Sequence, residues 1–175
     1  GVPVKRNHQP VDLMKWVVSQ LDDVETITVI ESESGYGKTS FCQILAARIA
    51  HKLYPEWMPV NIRLSEVKCA DNLQETLASA FVNNSQVDLS AWLEEKTKYL
   101  LILDGLNELP NCAENKRAIA VFLRQLLEFQ SRFNHKIILT SQSWAVEEIV
   151  NRAASQLRRI KIQPWGQDEW KEWFA

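Results

Sequence analysis

An excess of charge of either sign is the first thing this sequence lacks. Its 20 Lys and Arg stand against 22 Asp and Glu, a net charge of -2 at pH 7. That balance excludes the strongly basic face that a nucleic-acid footprint requires. The small cluster Arg158, Arg159 and Lys161 reads instead as a solvated strand end. No apolar run approaches the ~18 residues of a membrane span, and no secretory signal is visible. Neither a nucleic-acid nor a membrane partner is therefore expected. Cysteine is scarce as well: Cys42, Cys69 and Cys112 are odd in number and lack metal spacing. That usage suits a reducing compartment and predicts a cytoplasmic protein. His8, His51 and His135 share no local ligand spacing and read as surface or edge residues. Internal repeats and low-complexity segments are missing too.

What remains is a globular composition, 46% hydrophobic and 24% charged over 175 residues, which predicts one domain with a solid core. Strand-like and helix-like segments alternate along it. Strands are expected near 26–30, 59–64, 99–104, 136–141 and 158–163. Helices are expected over 11–21 (Met14, Val17, Val18 and Leu21 on one face), 40–53 (Phe41, Ile44, Leu45 and Ile49 facing the sheet), 72–82, 114–133 and 145–154. A short helix capped by Asp88 and a terminal helix complete the list. Such alternation predicts an α/β fold, a five-stranded parallel sheet with helices on both faces.

Between the first strand and the helix that follows lies Ser32-Glu33-Ser34-Gly35-Tyr36-Gly37-Lys38-Thr39. A strand, a glycine-bearing loop ending in Gly-Lys-Thr, then a helix is the arrangement that holds a nucleoside triphosphate. Loop amides and the positive end of the helix face the phosphates. Ser34, Gly35, Tyr36, Gly37, Lys38, Thr39 and Ser40 are the expected nucleotide-binding residues. Lys38 would neutralise the β- and γ-phosphates, and Thr39 would offer its hydroxyl to Mg²⁺. The pattern G-x-x-x-x-G-K-[ST] has one departure, Ser32 at the first glycine. Serine restricts the backbone more than glycine, so an intact loop slightly altered at its start is expected.

Residues 99–104, Tyr-Leu-Leu-Ile-Leu-Asp, form a continuous apolar run ending in a carboxylate. Such a run suits a central parallel strand. Asp104 at its carboxyl end stands where ligands bind in open α/β sheets, as a second Mg²⁺ residue beside Thr39. The stretch Asp104-Gly105-Leu106-Asn107-Glu108 then resembles the extended Walker B motif of NACHT domains. These are P-loop NTPases of the signal-transduction ATPases with numerous domains (STAND). The family pattern has a small residue after the aspartate and acids three and four positions on. Asn107 replaces the first acid, which leaves Glu108 as the catalytic base that the resemblance implies.

Two further segments follow the family's order. Residues 136–142 read as a strand ending in Thr140-Ser141-Gln142, and NACHT domains place a sensor arginine at the position of Gln142. Gln142 can donate to the γ-phosphate but carries no positive charge, with Thr140 and Ser141 as neutral donors nearby. Pro164 stands where the family has a proline near the adenine. The resemblance covers residues 24–175, with 1–23 expected as a linker and helix leading in. It implies the strand order second, third, fourth, first, fifth, which puts the Gln142 tip between the phosphate loop and Asp104.

The expected function is an ATP-binding (or ADP-binding) switch with Mg²⁺, slow in hydrolysis because Asn107 and Gln142 replace charged residues. Two alternatives stay open: a nucleotide-binding interaction module without hydrolysis, and a small-molecule P-loop kinase. No Asn-Lys-x-Asp stretch of the guanine-reading kind occurs, which favours ATP over GTP. Trp170, Trp173 and Phe174 form an apolar helical stripe at the end of the chain. It leads to the expectation of a longer parent protein whose further domains, or a second copy, cover that stripe.

Overall fold

The computed structural model describes residues 3–6, 9–81, 97–111 and 116–162. Pro164, the Asp88 helix and the terminal Trp170–Trp173–Phe174 stripe lie outside the described residues.

Five strands carry the domain: β3 (Ile27–Glu31), β4 (Trp57–Arg63), β5 (Lys98–Asp104), β6 (Lys136–Ser141) and β7 (Leu157–Lys161). They form one parallel sheet in the order β4-β5-β6-β3-β7. This is the order that the family resemblance implied. The inner strands are buried along nearly their whole length, whereas β4 and β7 mix buried with partly or fully exposed positions, as edge strands can. Pro59 is tolerated in β4 because an edge strand hydrogen-bonds on one side only.

The continuous apolar runs feed two cores. In β5, Leu101 and Leu103 join one cluster while Leu100 and Ile102 join the other, as the two-residue side-chain period dictates. Helices α1 (Leu13–Ser19) and α2 (Lys38–Lys52) cover the face of Leu100 and Ile102. Helices α3 (Leu73–Ala78), α4 (Arg117–Arg132) and α5 (Ser143–Ala153) cover the other. The result is a three-layer α/β/α domain.

Several expectations are corrected. Helix α1 starts at Leu13 rather than Val11, because Asp12 caps it by accepting from the Lys15 N–H at 3.3 Å. Val11 belongs to an antiparallel hairpin, β1 (Pro3–Arg6) with β2 (Gln9–Asp12), that the proline-bearing sequence did not announce. Val18 and Ile44 are exposed, at 37% and 57%; Leu13, Trp16 and Cys42 take the buried positions instead. Helix α3 ends at Ala78 and passes into a 3-10 turn, Ser79–Phe81.

His135 is not a surface residue. It lies buried among Tyr99, Phe129 and Phe133, and its Nδ1 accepts from the Tyr99 N–H at 3.1 Å. Lys136 is fully buried, its Nζ donating to the carbonyls of Asp23 (2.6 Å) and Thr26 (2.7 Å). Burial pushes its pKa down to about 8 against the pull of Asp23.

Arg159 and Lys161 are not simply solvated. Both face Glu31, the last residue of β3, whose side chain is 1% exposed; Arg159 also donates to Glu147 of α5 at 2.9 Å. Burial alone would raise the Glu31 pKa; the hydrogen bond from Arg159, with its charge and that of Lys161, brings it net below the ordinary value.

Candidate functional site

The loop leaving β3 needs glycine at only two of its positions. Gly35 and Gly37 have φ of +86° and +80°, in the left-handed region, while a Cβ on either would meet nothing within 4 Å. Conformation, not space, demands glycine there. Ser32 is not among the positive-φ residues, so a side chain at the first position of the pattern is accepted without strain. Its N–H donates to the Ser141 carbonyl at 3.0 Å, which ties the loop root to β6.

Helix α2 begins where the loop ends. Its cap is Gly37, which has no side chain to satisfy the first amides of the helix. Lys38 Nζ donates to the carbonyls of Ser32 (2.7 Å) and Glu33 (2.8 Å) and to Ser32 Oγ (3.1 Å). Serine at the departed position thus supplies an acceptor that glycine lacks. Partial burial lowers the Lys38 pKa from its ordinary value, opposed by the carboxylates of Glu33, Asp104 and Glu108.

Asp104 sits at the carboxyl end of β5, 3% exposed. Its Oδ2 accepts from Thr39 Oγ1 at 2.6 Å and its Oδ1 from Thr140 Oγ1 at 2.7 Å. Thr140 Oγ1 in turn accepts from the Gly105 N–H at 3.0 Å. The Thr140 hydroxyl is therefore committed to Asp104, and the Ser141 hydroxyl donates to the Gln142 carbonyl at 3.0 Å. The expectation that both serve as spare donors is corrected. Cys42 is buried beneath the same group, and burial with the nearby Asp104 charge pushes its thiol pKa far up.

The next turn explains why a small residue follows Asp104. Gly105 has φ +88°, and a Cβ there would lie 2.7 Å from Glu108 Oε2. The missing side chain leaves the space that the Glu108 carboxylate occupies. Asn107 has a place that the sequence did not reveal: its Oδ1 accepts from the Gln142 N–H at 3.1 Å, joining the β5 turn to the β6 tip. The Gln142 side chain meets Trp144, whose Nε1 donates to Gln142 Oε1 at 3.3 Å.

These elements enclose a cleft of about 350 Å³, lined by loop residues 34–35 and 37–40, by Asp104, Gly105, Asn107 and Glu108, and by Gln142. Of the loop residues singled out in the sequence, Tyr36 is 38% exposed and is not part of the lining. Thr39 and Asp104 offer one hydroxyl and one carboxylate side by side. That hard-oxygen pair fits a small divalent ion that takes its remaining ligands from water and phosphate, as Mg²⁺ does. Among the described residues, no arginine lines the cleft.

The sequence pattern of the NACHT domain family matches residues 26–175. No curated protein matches the chain. Solved structures share its fold at low identity. Saccharomyces cerevisiae RIF2 superposes with a TM-score of 0.57 at 9% identity, over 92% of this chain and 58% of that one. Hsp104, in a closed state with ATPγS and FITC-casein, gives 0.55 at 17% identity, over 92% and 29%. Drosophila ORC bound to poly(dA/dT) DNA and Cdc6 gives 0.53 at 11% identity, over 91% and 29%. The chain thus spans less than two thirds of each of these proteins.

Proposed function

The chain belongs to the NACHT domain family, a nucleotide-binding P-loop NTPase fold, and on that premise we propose that it is an ATP-dependent switch of the STAND type with slow hydrolysis. The observation that carries this reading is the contact of Thr39 with Asp104 at the mouth of the glycine loop. It brings the two halves of a metal–phosphate site to one point.

In this reading the amides of residues 34–40 and the uncapped start of α2 bind the phosphates. Lys38 exchanges neutral loop acceptors for charged phosphate oxygens, which bind an ammonium more strongly. Thr39 and Asp104 hold Mg²⁺, which when bound neutralises developing phosphate charge. Glu108 orients and deprotonates the attacking water, and Gln142 reads the γ-phosphate. Pro164 stays assigned to the base on the family resemblance alone. With no arginine among the described residues of the cleft, the negative charge that develops on phosphate is poorly compensated, and with Asn107 neutral Glu108 alone can act as base. Slow turnover suits a device in which bound ATP or ADP biases two conformations of a larger protein.

Residues 24–175 are taken as the nucleotide-binding domain and 1–23 as its lead-in. Partners are further domains of a parent chain and other copies of it. The free thiols of Cys42 and Cys69 support a cytoplasmic setting.

A second reading, nucleotide binding without hydrolysis, is favoured by the neutral pair Asn107 and Gln142. Calorimetric titration with ATP and ADP, together with phosphate release by wild type and Glu108→Gln, decides between them. Binding with Glu108-dependent release supports the slow switch. Binding with no release above the Glu108→Gln level supports the interaction module. No binding of either nucleotide refutes both.

A further inference from the structure

The Gln142 carbonyl accepts from Ser141 Oγ and the Val146 N–H, and the residue's two amide groups are held by two other side chains. Its backbone N–H donates to Asn107 Oδ1 at 3.1 Å, and its side-chain Oε1 accepts from Trp144 Nε1 at 3.3 Å. Gln142 caps α5, yet its side chain makes no capping bond to that helix. The indole takes it instead. Trp144 stands in the first turn of α5, and helical side chains lean toward the N-terminus, which brings the indole back over the cap residue.

The chemistry of the pair leaves one orientation. An indole N–H only donates, so the amide end facing it must be the carbonyl oxygen. The NH₂ end is what remains for the cleft that Gln142 lines. With the amide reversed, a carbonyl oxygen would face the cleft and repel a phosphate.

We propose that Trp144 is a positioning residue that locks the Gln142 amide with its NH₂ toward the cleft, and so makes an uncharged side chain selective for a γ-phosphate. This rests on the nucleotide-switch reading above and adds to it the residue that sets ATP-over-ADP preference. Trp144 is 37% exposed, so replacing it leaves the core intact.

The test measures dissociation constants for Mg²⁺–ATP and Mg²⁺–ADP by calorimetry in wild type, Gln142→Leu, Trp144→Phe and the double variant, with melting temperatures of the free proteins. Loss of a hydrogen bond to a charged oxygen lowers the ATP-over-ADP preference by roughly tenfold in Gln142→Leu. Trp144→Phe lowers it severalfold, with ADP affinity and melting temperature unchanged. The double variant falls no further than Gln142→Leu, because the indole acts only through the amide. An unchanged preference in Trp144→Phe beside a reduced one in Gln142→Leu overturns the proposal while sparing the switch. So does full additivity of the two losses, or an equal loss for ATP and ADP. An unchanged preference in Gln142→Leu removes the γ-phosphate from this position, and the proposal falls with that part of the switch reading.

Discussion

Thr39 Oγ1 and Asp104 Oδ2 meet at 2.6 Å although 65 positions separate them in sequence. One residue lies in the first turn of α2 and the other closes β5. They meet because β6, placed between β3 and β5, holds both strand ends level. Thr140 of β6 completes the link by donating to the other Asp104 oxygen.

Lys38→Ala removes the charge-assisted contact to phosphate, worth about 1.5–3 kcal/mol. ATP affinity is expected to fall by tenfold or more while the free protein melts close to wild type, since among the described residues Lys38 Nζ bonds within its own loop. Equal ATP affinity of the two proteins by calorimetry would refute the phosphate-loop assignment.

Gly105→Ala puts a Cβ 2.7 Å from Glu108 Oε2 at a φ of +88°. The left-handed backbone costs about 1 kcal/mol for alanine, and the carboxylate must move. Phosphate release should drop toward the level of Glu108→Gln with nucleotide affinity retained. Release at the wild-type rate would mean that the observed Glu108 position does not serve hydrolysis.

Lys136 has a folded pKa of about 8 against an ordinary value of 10.5. Between those values the unfolded chain binds more protons than the folded one, so stability rises with pH. Below about 8 the fold carries the cost of a buried ammonium. The unfolding free energy of wild type minus that of Lys136→Met should therefore climb from pH 8 toward 10. High-pH effects of Cys42 are common to both proteins and cancel. A flat difference would show that Lys136 stays charged in the fold.

Cys42 is fully buried under Asp104 and Thr140, whereas Cys69 is exposed. In a Cys69→Ser, Cys112→Ser variant, the remaining thiol should resist a thiol-specific reagent until denaturant unfolds the domain. Rapid labelling of the native variant would mean that the floor of the cleft opens readily.

Arg159→Met leaves the buried Glu31 carboxylate with Lys161, 3.7 Å away, as its remaining cation and with the neighbouring Ser143 hydroxyl. The expected loss is about 2–3 kcal/mol at neutral pH. The folded Glu31 pKa is depressed, so its stabilisation is present above the ordinary value of 4.5 and lost as pH falls through the folded value. In Arg159→Met that loss moves to higher pH. Chemical denaturation from pH 3 to 7 reads both effects, and coincident profiles would show that Arg159 does not hold this charge.

The sequence by itself determined the parallel sheet, its strand order by family likeness and the phosphate loop. Continuous apolar runs such as 99–103 and 137–139 have one stable use, burial on both faces, and a glycine-bearing turn before a helix is a local signal. Tertiary structure alone decided what depends on partners distant in the chain. It buried His135 among aromatic rings and Lys136 against the carbonyls of Asp23 and Thr26. It committed the Thr140 hydroxyl to Asp104, turned Asn107 toward the Gln142 amide and brought Arg159 to Glu31. It also exposed Val18 and Ile44, which helical periodicity had assigned to the core. A polar side chain shows its chemistry in the sequence but not its partner. The partner is chosen by which strand and helix ends the packed sheet brings within about 3 Å, and that distance exists only once the chain has folded.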